Sequence, residues 1–259
     1  MSGIEAQVNS GSDLRGRRFW VTGASRGIGR ATAEALMAAG ADVAVTARSK
    51  DALDELVEAA KEYAVNVMPL AGSVASEEDV ASIVAAIRHE WSTIHGLVNA
   101  AGISPHFKEA VDVSAEEWRE VIDVNLTGMF LCSRGIFPFL EEGASVVNVS
   151  SIIGRVGGER LSAYAASKGG VEAFTKSLAL EWAAKGVRVN SLAPGYVSTD
   201  MTEGLRSNEK WNNRLTSKIP LGRFGESTEV ASAALFLLSG GSSYMTGSSL
   251  TLDGGWTAG

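Results

Sequence analysis

A doubly wound α/β sheet, parallel and covered by helices on both faces, is predicted from three features of this sequence. Short apolar runs rich in Val, Leu and Ala alternate with helical patterns along the whole chain. Those runs are nearly continuous instead of alternating, as strands buried on both faces require. A glycine-rich string, TGASRGIG at 22–29, lies between the first apolar run and the first helical pattern. In such folds that turn is where backbone approaches a ligand.

Arg18–Thr22 (RFWVT) reads as the first strand, and Ile28–Ala39 as the first helix, stopped by Gly40. Asp42–Thr46 is the second strand, followed by a helix from about Ser49 to Tyr63. Val65–Leu70 is the third, and Ser76-Glu77-Glu78-Asp79 opens the next helix with a capping-box pattern. Gly96–Asn99 is the fourth strand. Ser114-Ala115-Glu116-Glu117 caps a long segment expected to run, with breaks, to Glu142. Ser145–Val149 is the fifth strand, and a helix through Tyr164 and Lys168 reaches about Lys185. Val187–Leu192 is the sixth strand, Glu229–Ser239 a late helix and Ser249–Leu252 the last strand. No repeat or linker divides residues 15–259, which are expected to form one domain. Residues 1–14, polar and Ser/Gly-containing, are expected to be a disordered tail.

Composition narrows the function. The 259 residues are 45% apolar, enough for a sizeable core. With 23 basic and 30 acidic side chains the net charge is −7, which makes nucleic acid and anionic membrane poor partners. No apolar stretch approaches the ~20 residues of a membrane span. Cys132, the only cysteine, excludes an intrachain disulfide and fits core packing in a reducing, cytoplasmic setting. His89, His95 and His106 are scattered, and no ligand spacing suggests a metal site.

The chemistry is concentrated in YAASK at 164–168. On a helix, Tyr164 and Lys168 at i, i+4 share a face, so a phenol and an ammonium lie side by side. A buried lysine cation favours tyrosinate and is expected to lower the phenol pKa toward the working range of an acid or base. Ser151 lies thirteen residues upstream of Tyr164. The glycine string opens a helix whose free N–H groups and positive end suit a dinucleotide pyrophosphate, with Gly23, Gly27 and Gly29 allowing close approach.

Together with NAAG at 99–102, VNLTG at 124–128, VSS at 149–151, PGYVST at 194–199 and DGG at 253–255, these motifs resemble the short-chain dehydrogenase/reductase family over about residues 14–255. The resemblance implies seven parallel strands in the order 3-2-1-4-5-6-7 and a catalytic set of Ser151, Tyr164, Lys168 and Asn125. Ser151 would bond the substrate oxygen, Tyr164 would give it a proton, and Lys168 would tune Tyr164 and hold the nicotinamide ribose. Asn125 would brace a water beside Lys168, or be a helix-kink residue satisfied by backbone. Ser150 is expected to be structural. Coenzyme contacts are expected from Gly23, Ser25, Arg26, Gly27, Ile28, Gly29, Arg48, Ser73, Val74, Asn99, Ala100, Gly102, Tyr164, Lys168, Pro194, Gly195, Val197 and Thr199, with a substrate lid at about 200–219.

The second strand ends Thr46-Ala47-Arg48, with no carboxylate to repel a 2′-phosphate and an arginine to pair with it. Arg48, helped by Arg26, therefore points to NADP(H). Ser73 stands where relatives often have Asp, which weakens the expected adenine contact. His106 is either a substrate contact or a solvated loop histidine, and Met201, Leu205, Trp211 and Leu215 give the lid its apolar side. The resulting expectation is an NADPH-dependent reductase of a free ketone, reversible as an alcohol dehydrogenase and assembled as a homotetramer. The rivals are a 3-oxoacyl-carrier-protein reductase, disfavoured by the acidic turn Glu141-Glu142-Gly143 although Lys185 is basic; a catalytically idle NADP(H)-binding regulator; and a scaffold without nucleotide.

Overall fold

The computed structural model describes residues 14–259. Seven parallel strands form the main sheet: β1 (Arg18–Thr22), β2 (Asp42–Ala47), β3 (Val67–Ala71), β4 (Ile94–Asn99), β5 (Leu140–Val149), β6 (Arg188–Pro194) and β7 (Ser249–Leu252). Their order is β3-β2-β1-β4-β5-β6-β7, as expected. The crossovers carry ten helices among the described residues: α1 (Gly27–Ala38), α2 (Lys50–Ala60), α3 (Glu77–Glu90), α4 (Ala115–Ile122), α5 (Gly128–Ile136), α6 (Ile153–Val156), α7 (Ser162–Trp182), α8 (Glu203–Arg206), α9 (Glu209–Thr216) and α10 (Ser227–Leu238).

The pleat sorts one apolar run into two cores. In β1, Phe19 and Val21 pack with Leu36, Leu53 and Val230 under α1, α2 and α10. Trp20 between them points the other way, to Ile83, Leu97, Leu131 and Trp182 under α3, α5 and α7. All three are fully buried, and the Trp20 indole N–H donates to Thr46 Oγ1 at 2.9 Å, so burial leaves no donor unpaired. Among the described residues no helix is long and apolar enough to cross a membrane.

Several boundaries differ from expectation for local reasons. The segment expected to run, with breaks, to Glu142 is broken by a π-turn over Asp123–Thr127, and its last helix ends earlier, at Ile136, with Pro138 in a following 3-10 turn. Pro138 has no N–H to continue a helix. The fifth strand accordingly begins at Leu140, with an irregularity opposite Ile94 and Gly96. The capping box is complete at Ser114 and Glu117 but half-formed at Ser76. There Asp79 N–H donates to Ser76 Oγ, while the Asp79 carboxylate turns to accept from Ser73 N–H at 2.8 Å. Of the expected tail, residues 1–14, the first thirteen lie outside the described residues. Its last member, Leu14, is only 1% exposed and belongs to the core.

At the opposite rim from the strand C-termini, Arg188 opens β6. Its guanidinium donates to the carbonyls of Leu237, Ser239, Ser242 and Met245 and to Ser242 Oγ, closing the end of α10. Arg188→Ala is expected to lower stability by about 2–4 kcal/mol, because it strands several carbonyls at once. Urea unfolding should show a lower midpoint with unchanged slope.

Candidate active site

A cleft of about 580 Å³ opens at the C-terminal ends of the strands. In doubly wound sheets this is where crossovers to opposite faces part and leave a crevice. The glycine loop forms one wall, and two of its glycines are required by space. A Cβ on Gly23 would lie 2.6 Å from Ala101 Cα, and one on Gly29 would lie 2.2 Å from the Gly23 carbonyl oxygen. Gly23 also has φ +69°. The Thr22 hydroxyl meets the N–H groups of Ala100 and Ala101, fixing the neighbouring loop against this one.

Ser25, Arg26, Gly27, Ile28, Arg48, Ser73, Val74, Ala100, Gly102, Pro194, Gly195, Val197 and Thr199 line the cleft. Arg26 reaches across to Asp200 at 3.2 Å, both side chains being exposed, whereas Arg48 makes no ion pair among the described residues. The Ser73 hydroxyl accepts from Ala75 N–H at 3.3 Å.

Ser151, Tyr164 and Lys168 meet on the floor. Ser151 is held between two backbone bonds to β6, from Ser150 N–H to the Leu192 carbonyl and from Ile152 N–H to the Pro194 carbonyl. Its hydroxyl accepts from Ile153 N–H and is near enough to the Tyr164 phenol to favour its ionised form. Ser150 Oγ donates to the Lys168 carbonyl, the structural role expected of it. Lys168 is 4% exposed, donates to the Val149 carbonyl at 2.7 Å and lies 5.8 Å from the centre of the Tyr164 ring. Burial pushes its ammonium down to about 8. Burial likewise pushes the Tyr164 phenol above its usual value. The phenol is therefore raised where a lowering by Lys168 was expected: burial is the larger effect, and the opposing one comes from Ser151.

Two expected residues stand behind the cleft wall. Asn99 is buried, donating to Ser133 Oγ and Asn148 Oδ1 in a polar cluster between β4, β5 and α5. Asn125 sits in the π-turn, accepting from Ile103 N–H and donating to the Ile103 carbonyl and Ser167 Oγ. Its amide is therefore satisfied by the chain, in keeping with the helix-kink alternative. A Cβ on Gly102 would lie 3.4 Å from both Asn125 Oδ1 and Lys168 Nζ, which places this glycine beside both polar groups.

The cleft also holds Tyr196, Phe107, Arg214, Lys218 and Trp256, for which no site role was expected from the sequence. Tyr196 packs on Trp256 at 4.8 Å, and Phe107 meets Trp211 edge-on at 6.1 Å. Arg214 and Lys218 lie over Trp211 and Trp256. The expected lid is two short helices, α8 and α9, and Met201, Leu205, Trp211 and Leu215 all face the cleft. His106 lines it too, bracketed by Glu117 at 3.5 Å and Glu120 at 3.3 Å. Cys132 is fully buried with its thiol pushed up to about 12, an inert packing residue.

A parallel sheet with a glycine-walled crevice and a Ser–Tyr–Lys floor defines a nicotinamide-dependent oxidoreductase acting on CH–OH and C=O groups, and comparison with known proteins agrees. A family profile described as enoyl-(acyl carrier protein) reductase matches residues 23–257. The 3-oxoacyl-[acyl-carrier-protein] reductase FabG of Thermotoga maritima is 40% identical over 246 residues, 93% of this chain and 98% of that protein. A proposed short-chain alcohol dehydrogenase from Sinorhizobium meliloti superposes with a TM-score of 0.91 at 39% identity, covering 96% of this chain and 99% of that one. A proposed NAD(P)-dependent gluconate 5-dehydrogenase from Beutenbergia cavernae, with bound NADP, gives 0.90 at 36% identity over 96% and 100%. The chain belongs to the short-chain dehydrogenase/reductase family.

Proposed function

We propose that the protein is an NADPH-dependent reductase of free ketones, running in reverse as an alcohol dehydrogenase. The observation that carries this reading is the meeting of Ser151, Tyr164 and Lys168 on the floor of the glycine-walled cleft. When bound, the nicotinamide supplies or takes up the hydride. The chain does the rest. Ser151 and the Tyr164 hydroxyl orient the carbonyl oxygen, Tyr164 gives it the proton, and the buried Lys168 stabilises the tyrosinate left behind. Gly23, Gly27 and Gly29 admit the pyrophosphate backbone. Oxidation of NADPH over a panel of ketones tests the proposal. Tight NADPH binding with no ketone turned over would leave the idle-regulator reading instead. No NADPH binding would leave the scaffold.

NADP preference rests on Arg48, because Arg26 is already held by Asp200. Arg48→Asp is expected to shift preference toward NADH by about 10- to 100-fold, from loss of one charge-assisted bond and added repulsion. Side-by-side kinetics with both coenzymes check it, and a wild type that already prefers NADH would remove Arg48 from the argument.

The relatives named for acyl-carrier-protein substrates favour a second reading, a 3-oxoacyl-carrier-protein reductase. The acidic turn held against it in the sequence does not bear on docking: Glu141 and Glu142 open β5, and Lys185, committed to the Phe137 and Pro138 carbonyls, precedes β6, all at the rim opposite the cleft. Assembly is proposed as a cytoplasmic homotetramer, supported by exposed Trp118, Phe130 and Leu180 on α4, α5 and α7 and Phe236 and Tyr244 near the C-terminus. Light scattering at micromolar concentration should give about four times the 27.1 kDa chain mass.

A further inference from the structure

The charges lining the cleft run against those of the chain. Arg26, Arg48, Lys168, Arg214 and Lys218 face Glu159 and Asp200, five cations against two carboxylates, in a protein of net charge −7. Arg26 and Arg48 flank the glycine loop, and Lys168 is on the floor. Arg214 and Lys218 belong to neither. They sit in and just after α9, on the lid side of the cleft, and neither makes an ion pair among the described residues. Each is poised over an aromatic ring instead, the Arg214 guanidinium 5.0 Å from the Trp211 centroid and the Lys218 ammonium 5.9 Å from that of Trp256. A cation over a ring at an exposed site is held in place more weakly than by a carboxylate, so its donors stay available. Tyr196, Phe107, Trp211 and Trp256 add an apolar, aromatic wall to the same cleft.

Resting on the reductase reading above, we propose that the substrate is a small oxo compound bearing an anionic group, a carboxylate or a phosphate. Arg214 and Lys218 bind that group, and its carbon frame lies along Trp211 and Trp256. These two cations set substrate choice without touching the reacting carbonyl.

The test compares oxo acids and oxo phosphates with their neutral methyl esters or alcohols, using the full-length wild type, Arg214→Gln, Lys218→Gln and the double variant. Wild type should show a kcat/KM at least about 10-fold higher for the anionic member of a pair, with the preference lost mainly through KM in the double variant. Calorimetric titration of an oxo acid into the protein with oxidised NADP should show the same loss of affinity, independent of turnover. The Kd for NADPH should be unchanged. Neutral ketones reduced as well as charged ones would overturn the proposal while leaving the reductase reading intact. So would a rise in NADPH Kd in the variants, which would place both cations on the coenzyme, or turnover of carrier-protein thioesters alone. Absence of turnover on every carbonyl compound would instead sink the reductase reading.

Discussion

Tyr164→Phe is expected to leave NADPH binding nearly intact while ketone turnover falls by roughly 10²–10⁴ or more. The ring and its packing survive the change, and only the hydroxyl is lost. The pH dependence supplies a second check. Reduction needs the protonated phenol, so it should hold at neutral pH and fall on the alkaline side, where burial has placed the phenol's ionisation above its usual value. Oxidation needs tyrosinate and should rise over the same range. A phenylalanine variant with most of its turnover on a verified substrate would remove Tyr164, and the acid/base assignment with it.

Lys168→Met is expected to abolish most turnover and, at pH 7, to stabilise the protein by about 2–3 kcal/mol. Burial has lowered the ammonium from 10.5 to about 8, and each tenfold loss of proton affinity corresponds to ~1.4 kcal/mol of preference for the neutral form. A depressed lysine pKa destabilises the fold wherever the group is charged in both states, below about pH 8. That penalty fades as pH rises from about 8 to 10.5, where the unfolded chain holds the proton that the folded chain has released. Wild-type stability should therefore climb across that window, and the methionine variant should lack the climb. The loss of the bond to the Val149 carbonyl offsets part of the gain. Urea midpoints at about pH 7 and pH 10 measure both effects, and a variant less stable than wild type at the lower pH would refute the account.

The strands and the glycine loop were legible because continuous apolar runs and tight glycine spacing have few structural solutions. Phe19-Trp20-Val21 can only be a strand covered on both faces, and Gly23 and Gly29 can be nothing larger. The floor was legible for a similar reason, since an i, i+4 pair on a helix fixes its own geometry. Other features depend on partners distant in sequence. Asn99 carries a motif position but turns into the core toward Ser133 and Asn148, contacts 34 and 49 residues away. Asp79 looked like half of a local cap, yet its carboxylate serves Ser73. The order of the pKa effects at Tyr164 depends on how deeply α7 presses against β5, which a short string of letters cannot convey. Trp211, Arg214, Lys218 and Trp256 carry no motif at all, and only the fold brings the C-terminal tail against the lid.

β6 connects two properties that are usually studied apart. Its first residue, Arg188, clamps α10, and its last, Pro194, borders the cleft and holds Ile152 beside Ser151. Seven residues at ~3.3 Å each separate these ends by roughly 20 Å, beyond the range over which substitutions normally couple. Robustness and selectivity are consequently inherited through separate positions of one strand and its surroundings. A lineage could rewrite residues 200–219 for a new substrate while the Arg188 clamp keeps the sheet edge closed, and a more heat-resistant descendant could arise at that clamp with its choice of substrate unaltered.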